Sequence, residues 1–212
     1  MIYDLIKVCG MREAENIREV EALGIDVIGF IFWPKSSRCV STRPDYLPVN
    51  AKRAGIFVNE DIEQVRRIAV DYALDIIQLH GNESPEYARN LRNWKVIKAF
   101  NIASEEDLES TVIYDGAVDY FLFDTKGKAV GGNGEKFDWE VLASYNGQSP
   151  FILSGGIGPD DTERVRTFYH PQCIGIDLNS RFELSPGLKD ITALRRFLSQ
   201  LPHNSHNNHR FS

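Results

Sequence analysis

Short β-rich apolar runs recur along the chain: LIKVC (5–9), DVIGFIF (26–32), RAGIFV (53–58), DIIQLH (75–80), KVIKAF (95–100), YFLFD (120–124), FILSG (151–155) and IGIDL (174–178). Each has the length and the β-branched or aromatic content of a strand buried on both faces. Between them lie stretches with a helical apolar period or a charged composition. Over 62–73, Ile62, Val65, Ile68, Ala69, Tyr72 and Ala73 fall on one helical stripe, and Ile191, Leu194, Phe197, Leu198 and Leu201 do the same near the end of the chain. Ser84 followed by Pro85 reads as an N-cap with proline at the first helical position, and Ser104 with Asp107 as a capping box. The intervals after the second and sixth strands carry weak helical pattern and predict helices of one or two turns.

Strands that alternate with helices predict right-handed βαβ units and hence a parallel sheet. Eight such units in 212 residues predict an α/β protein built as a single (β/α)8 TIM barrel, parallel and eight-stranded, at the compact limit of that fold. An open doubly wound sheet would carry fewer strands and a dinucleotide loop, and no GxGxxG follows the first strand. The barrel is expected over residues 1–201. Residues 202–212, PHNSHNNHRFS, read as a polar, flexible tail whose histidines are not a metal site.

Composition then narrows the partners. The formal charge is −6 with no basic stripe, which argues against nucleic acid as a partner. The N-terminus lacks a signal-peptide pattern, and no stretch approaches the ~20 apolar residues of a membrane span, so no membrane partner and a cytoplasmic location are expected. Cys9, Cys39 and Cys173 are odd in number and lack CxxC spacing, and read as free thiols in a reducing compartment. No metal and no cofactor are expected. A small-molecule substrate is the expected partner, and a monomer or a homodimer the expected state.

In barrels of this kind chemistry sits at the C-terminal ends of the strands. Those ends are polar here: Cys9-Gly10, Asn59, Gln78 to Gly81, Asn101, Asp124-Thr125, Ser154 to Gly156, and Asp177 to Ser180. Each has an ordinary structural use as cap, turn or core residue, but together on one rim they predict a site. Ser154-Gly155-Gly156 leads through Ile157-Gly158-Pro159 toward a helix, and Asn179-Ser180 precedes Ser185-Pro186-Gly187, read as another helix start. These two loops suit a phosphate cradle, as in phosphate-binding barrels.

Cys9 and Asp124 end strands three apart around the ring, leaving a gap of sugar size, and suit a base and an acid on opposite flanks of a small substrate. Cys9 would profit from a lowered thiol pKa, with Lys7 on the same strand face as its source, and Asp124 from a raised one. Arg38, in PKSSRCV, can offer a planar fork to a substrate carboxylate. Lys7, His80 and Asp177, polar residues of the same rim, are read as substrate-binding too. The segment TKGKAVGGNGEKF (125–137), with four glycines, suits a closing lid.

The stretches KVCGM, GFIFWPKSSRCVS, GIFVN, IQLHG, LFDTKGKAVGGNGEKFDW, LSGGI and GIDLNSRFELSPGLKD together resemble the phosphoribosylanthranilate isomerase family from about residue 6 to 200. The resemblance implies a cofactor-free barrel with Cys9 as general base, Asp124 as general acid and Arg38 on the anthranilate part. It also points to Gly155, Gly156, Asn179 and Ser180 for the phosphate. The implied reaction is the Amadori rearrangement of N-(5-phosphoribosyl)anthranilate to 1-(2-carboxyphenylamino)-1-deoxyribulose 5-phosphate in tryptophan biosynthesis. The chain departs from the family pattern at Cys39 (usually aromatic), Asn133 (usually Thr) and Arg181 (usually Gly). The alternatives are another phosphate-binding barrel enzyme, such as a sugar-phosphate isomerase or a thiamine phosphate synthase, and a sugar-phosphate sensor without turnover.

Overall fold

The eight apolar runs form eight strands: β1 (Leu5–Cys9), β2 (Val27–Ile31), β3 (Lys52–Phe57), β4 (Ile76–Leu79), β5 (Lys95–Ile102), β6 (Tyr120–Thr125), β7 (Phe151–Ser154) and β8 (Cys173–Leu178). They pair in sequence order, all parallel, and β8 closes on β1, so the sheet has no edge. The computed structural model describes residues 3–125 and 139–202. All but the first residue of the expected lid, and 203–212 of the expected tail, lie outside these residues. No helix among the described residues is long and apolar enough to cross a membrane.

Alternation along the strands sorts their side chains into two shells. Leu5, Val27, Ile56, Ile76, Ile97, Leu122, Ile152 and Ile174 fill the barrel interior. Ile6, Val8, Phe30, Phe57, Leu79, Phe121, Phe123 and Leu178 point outward into the layer beneath the helices. Burial on both faces explains why the runs read as continuously apolar. At β8 the register shifts against β7, pairing Ile152 with Gly175 rather than Ile174. This bulge lets Ile174 enter the interior cluster while Ile176 faces outward. Gly175 is required there, because a Cβ would come within 2.3 Å of the Leu5 carbonyl oxygen.

The covering layer contains α1 (Ala14–Glu21), α2 (Ile62–Asp71), α3 (Pro85–Arg89), α4 (Thr162–Thr167) and α5 (Ile191–Leu198), with 3-10 helices at Glu105–Tyr114, Trp139–Ser144 and Ser180–Phe182. The Asp61 side chain accepts from the amides of Glu63 and Gln64 at the start of α2, and Ser84 from Tyr87 at the start of α3. Asp107 completes the predicted capping box by accepting from the amide of Ser104. Val65, Ala69 and Tyr72 are buried as the stripe predicts, but Ala73 is exposed and left-handed at φ 45°, past the end of α2.

Two further expectations are corrected. No helix follows β2: residues 32–51 contain Pro34, Pro44 and Pro48 and run as turns and bends. Glu21 holds that segment, accepting from the amides of Val49, Asn50 and Ala51 and from the Tyr46 hydroxyl. Ser185-Pro186-Gly187 starts no helix either. It is the turn between β9 (Glu183–Ser185) and β10 (Leu188–Lys189), a small antiparallel hairpin, with Gly187 at φ 87°.

Candidate active site

A cavity of about 170 Å³ opens at the C-terminal ends of the strands. Cys9 of β1, His80 after β4, Asp124 of β6, Gly155 and Gly156 after β7, Asp177 of β8, and Asn179 and Ser180 beyond it all line its wall. Ile31, Ile56 and Ile157 supply its apolar part. A wider cleft of about 620 Å³ lies at the other end of the barrel, around Asp75, Lys95 and Asp119. In this fold that end supports stability, and the convergence of thiol, imidazole and carboxylates marks the smaller cavity as the chemical one.

Two of the predicted residues stand outside the cavity wall. Lys7 is fully buried beneath it, with Nζ 2.8 Å from Asp177 Oδ1 and the other Asp177 oxygen accepting from Ser154 Oγ at 3.1 Å. Arg38 lies across the rim, packed where a Cβ on Gly10 would sit 2.8 Å from its Cδ, and Gly10 itself is left-handed at φ 81°. The Arg38 fork is filled by the Glu183 carboxylate, with Nε 2.9 Å from Oε1 and an η nitrogen 2.7 Å from Oε2. The fork therefore does hold a carboxylate, though one from the protein's own hairpin.

Lys189 completes the cationic surroundings and was not singled out from sequence. It is buried on β10, where its ammonium donates to Asn179 Oδ1 at 2.8 Å and Glu183 Oε1 at 2.7 Å. Asn16 of α1 fixes its backbone by accepting from the Lys189 amide and donating to its carbonyl. A buried lysine beside an apolar residue on a two-residue strand has no periodic signature, so only the hairpin brings it in.

The electrostatics around Cys9 run opposite to the expectation. Burial pushes its thiol pKa up; Lys7 and Lys189 pull it down, Asp177 opposes them, and the net shift is upward. At Lys7 burial is the largest influence and works downward, but Asp177 and Cys9 together outweigh it and the net shift is upward. His80 is pushed down by burial, so its ring is neutral around pH 7. The ring's Nδ1 lies 3.3 Å from Gln78 Nε2 and its Nε2 lies 3.8 Å from Asp124 Oδ2.

The loop after β7 turns through two left-handed glycines, Gly155 at φ 90° and Gly156 at φ 68°. Arg181, reaching over from the loop after β8, donates to the Gly156 carbonyl at 3.0 Å and lies 3.7 Å from the buried Asp161 carboxylate. Asp161 in turn accepts from the Gly158 amide at 2.8 Å. The two loops expected to cradle phosphate are thus tied to each other. Cys39 does not reach the cavity; it pairs with the end of β2 through a single bridge to Ile31.

A closed, parallel, eight-stranded βα ring with its polar residues gathered at the strand ends is a (β/α)8 barrel. The family model for N-(5'-phosphoribosyl)anthranilate (PRA) isomerase matches residues 6–200, and the chain belongs to that family. N-(5'-phosphoribosyl)anthranilate isomerase from Parabacteroides distasonis is 52% identical over 207 residues, covering 94% of each chain. The crystal structure of phosphoribosyl anthranilate isomerase from Thermotoga maritima superposes with a TM-score of 0.81 at 31% identity, covering 94% of this chain and 98% of that one. A solved phosphoribosyl anthranilate isomerase in complex with reduced 1-(o-carboxyphenylamino)-1-deoxyribulose 5-phosphate is 30% identical, with a TM-score of 0.78 and coverage of 94% and 98%.

Proposed function

We propose that this chain converts N-(5-phosphoribosyl)anthranilate to 1-(2-carboxyphenylamino)-1-deoxyribulose 5-phosphate in tryptophan biosynthesis, with Cys9 as general base and Asp124 as general acid. The observation that carries the reading is that both groups line one small cavity whose adjoining wall is the paired glycine loop. Gly155, Gly156, Asn179 and Ser180 take the phosphate on backbone and hydroxyl donors. Arg38 exchanges Glu183 for the anthranilate carboxylate, a swap of one planar fork partner for another.

Asp124 gives its proton to the furanose ring oxygen; the C1–O bond breaks and the nitrogen lone pair closes an iminium. Cys9 removes the proton from C2, and the electron pair neutralises the iminium to an enamine bearing an enol hydroxyl. Proton return to C1 and loss of the enol proton give the ketone, so atoms and charge balance. The base is the Cys9 thiolate, its own proton given up to solvent before the substrate binds, and it becomes the thiol on taking the C2 proton; Lys7 and Lys189 favour that anion against the burial that disfavours it. His80 and Asp177 border the sugar, and Lys7 acts from beneath through Asp177. The formal net charge of −6 argues against nucleic acid as a partner; the partner in this reading is the phosphorylated small molecule, with no membrane, and the chain is a cytoplasmic monomer or homodimer.

The test mixes the protein with freshly made phosphoribosylanthranilate and follows the loss of its fluorescence. Decay well above spontaneous breakdown is expected; decay at the spontaneous rate refutes the activity.

A further inference from the structure

Gln78 points inward from β4, between Ile76 and His80, and is 2% exposed. One end of its amide lies on the His80 ring, Nε2 to Nδ1 at 3.3 Å. The other end, Oε1, is buried with no hydrogen-bond partner, although the side chain lines the cavity that Cys9 and Asp124 share. Its register partners on the flanking strands, Ile56 and Ile97, are apolar and cannot supply one. Turning the amide over exchanges its two ends and leaves the same tally: one end satisfied by imidazole, one facing the cavity bare. A buried polar atom left without a partner is costly, and a cavity-lining one is satisfied when a ligand brings the missing group.

We propose that Gln78 is a substrate-positioning residue that fixes the His80 ring with one end of its amide and accepts a hydrogen bond from a secondary sugar hydroxyl with the other. The inference rests on the isomerase reading and deepens it. The phosphate and the aromatic carboxylate bring acceptors alone, and the anilinic N–H is internally satisfied by its ortho carboxylate. The sugar hydroxyls are the donors that remain. The amide that holds Nδ1 as acceptor also places the imidazole proton on Nε2, the nitrogen 3.8 Å from Asp124. Gln78 thereby couples recognition of the sugar to the side of the cavity where the ring oxygen is protonated.

The experiment is calorimetric binding of the reduced ketose product, and of its analogues lacking the hydroxyl at C3 or at C4, to the full chain and to Gln78→Met. For the wild-type chain one deoxy analogue binds about tenfold more weakly than the parent, the worth of one hydrogen bond to a buried group. Gln78→Met weakens the parent by a similar factor and costs that deoxy analogue nothing further. If the variant weakens all three ligands equally, or none, the assignment is overturned, because a structural role alone would not couple to one hydroxyl. Should Gln78→Met fail to fold, Gln78→Asn, which withdraws the amide by one methylene, carries the same comparison. Tight binding of the parent with additive losses defeats the role of Gln78 alone. Failure of the wild-type chain to bind the parent defeats the isomerase reading, and this inference with it.

Discussion

Lys7 Nζ and Asp177 Oδ1 meet 2.8 Å apart inside the barrel, joining the first and last strands across 170 positions of sequence. Backbone pairing of β1 with β8 closes the ring at the same level, where Lys7 is the register partner of Asp177. The ion pair thus sits on the seam of the barrel and under the floor of the cavity. Its remaining carboxylate oxygen reaches the end of β7 through Ser154.

Lys7→Met strands the Asp177 carboxylate in the interior. Breaking one partner of a buried pair costs about 3–5 kcal/mol, whereas replacing both is far milder. Urea unfolding should show that loss for the single variant and recovery of most of it in Lys7→Met/Asp177→Leu. A single variant as stable as the wild type would mean that the pair is solvated.

Cys9→Ala and Asp124→Asn each remove one of the two proposed proton-transfer groups and leave the glycine loops untouched. Each should lower kcat by about 10²–10⁴-fold with KM little changed, the usual scale of general acid–base catalysis. Steady-state fluorescence assays read both constants. A Cys9→Ala enzyme at the wild-type rate removes the base from the mechanism.

In the ligand-free chain burial raises the Cys9 thiol pKa, and the sign of its linkage follows. A folded value above the unfolded one, about 8.5, favours folding at lower pH, and that contribution is lost as pH rises through the folded value. Ultraviolet thiolate absorbance of wild type minus Cys9→Ala should stay flat through neutral pH and rise above the ordinary thiol range. Thiolate signal at neutral pH would show that the cations dominate burial.

For His80 the shift is downward, because burial disfavours the imidazolium. The unfolded ring takes up its proton near pH 6.5 while the folded ring does not, so this site withdraws stability as pH falls below about 6.5. Its NMR resonance, assigned with His80→Asn, should titrate with a midpoint below that of a free imidazole. A midpoint at or above the free value would indicate that Asp124, which favours the charged ring, outweighs burial.

The periodic features of this protein are local and were legible residue by residue. Runs apolar at every position mark strands covered on both faces, and eight of them alternating with helices leave little but a closed parallel ring. Ser84 and the Ser104–Asp107 pair start helices by chemistry contained within four residues. The polar strand ends were readable because the fold puts all of them on one rim, whatever the details of packing.

What tertiary structure alone decided are the contacts between residues far apart in the chain. Three prolines and a carboxylate from α1 leave residues 32–51 without a helix. The hairpin after β8 delivers Glu183 to Arg38 and Lys189 to Asn179 of the cavity wall, and no sequence period announces either. The rise of the Cys9 thiol pKa is likewise collective: burial is set by the whole ring, and the lysines that oppose it stand at opposite ends of the chain. Local pattern fixes which elements form and which residues reach the rim. Desolvation and charge pairing there depend on distances that exist only once the ring has closed.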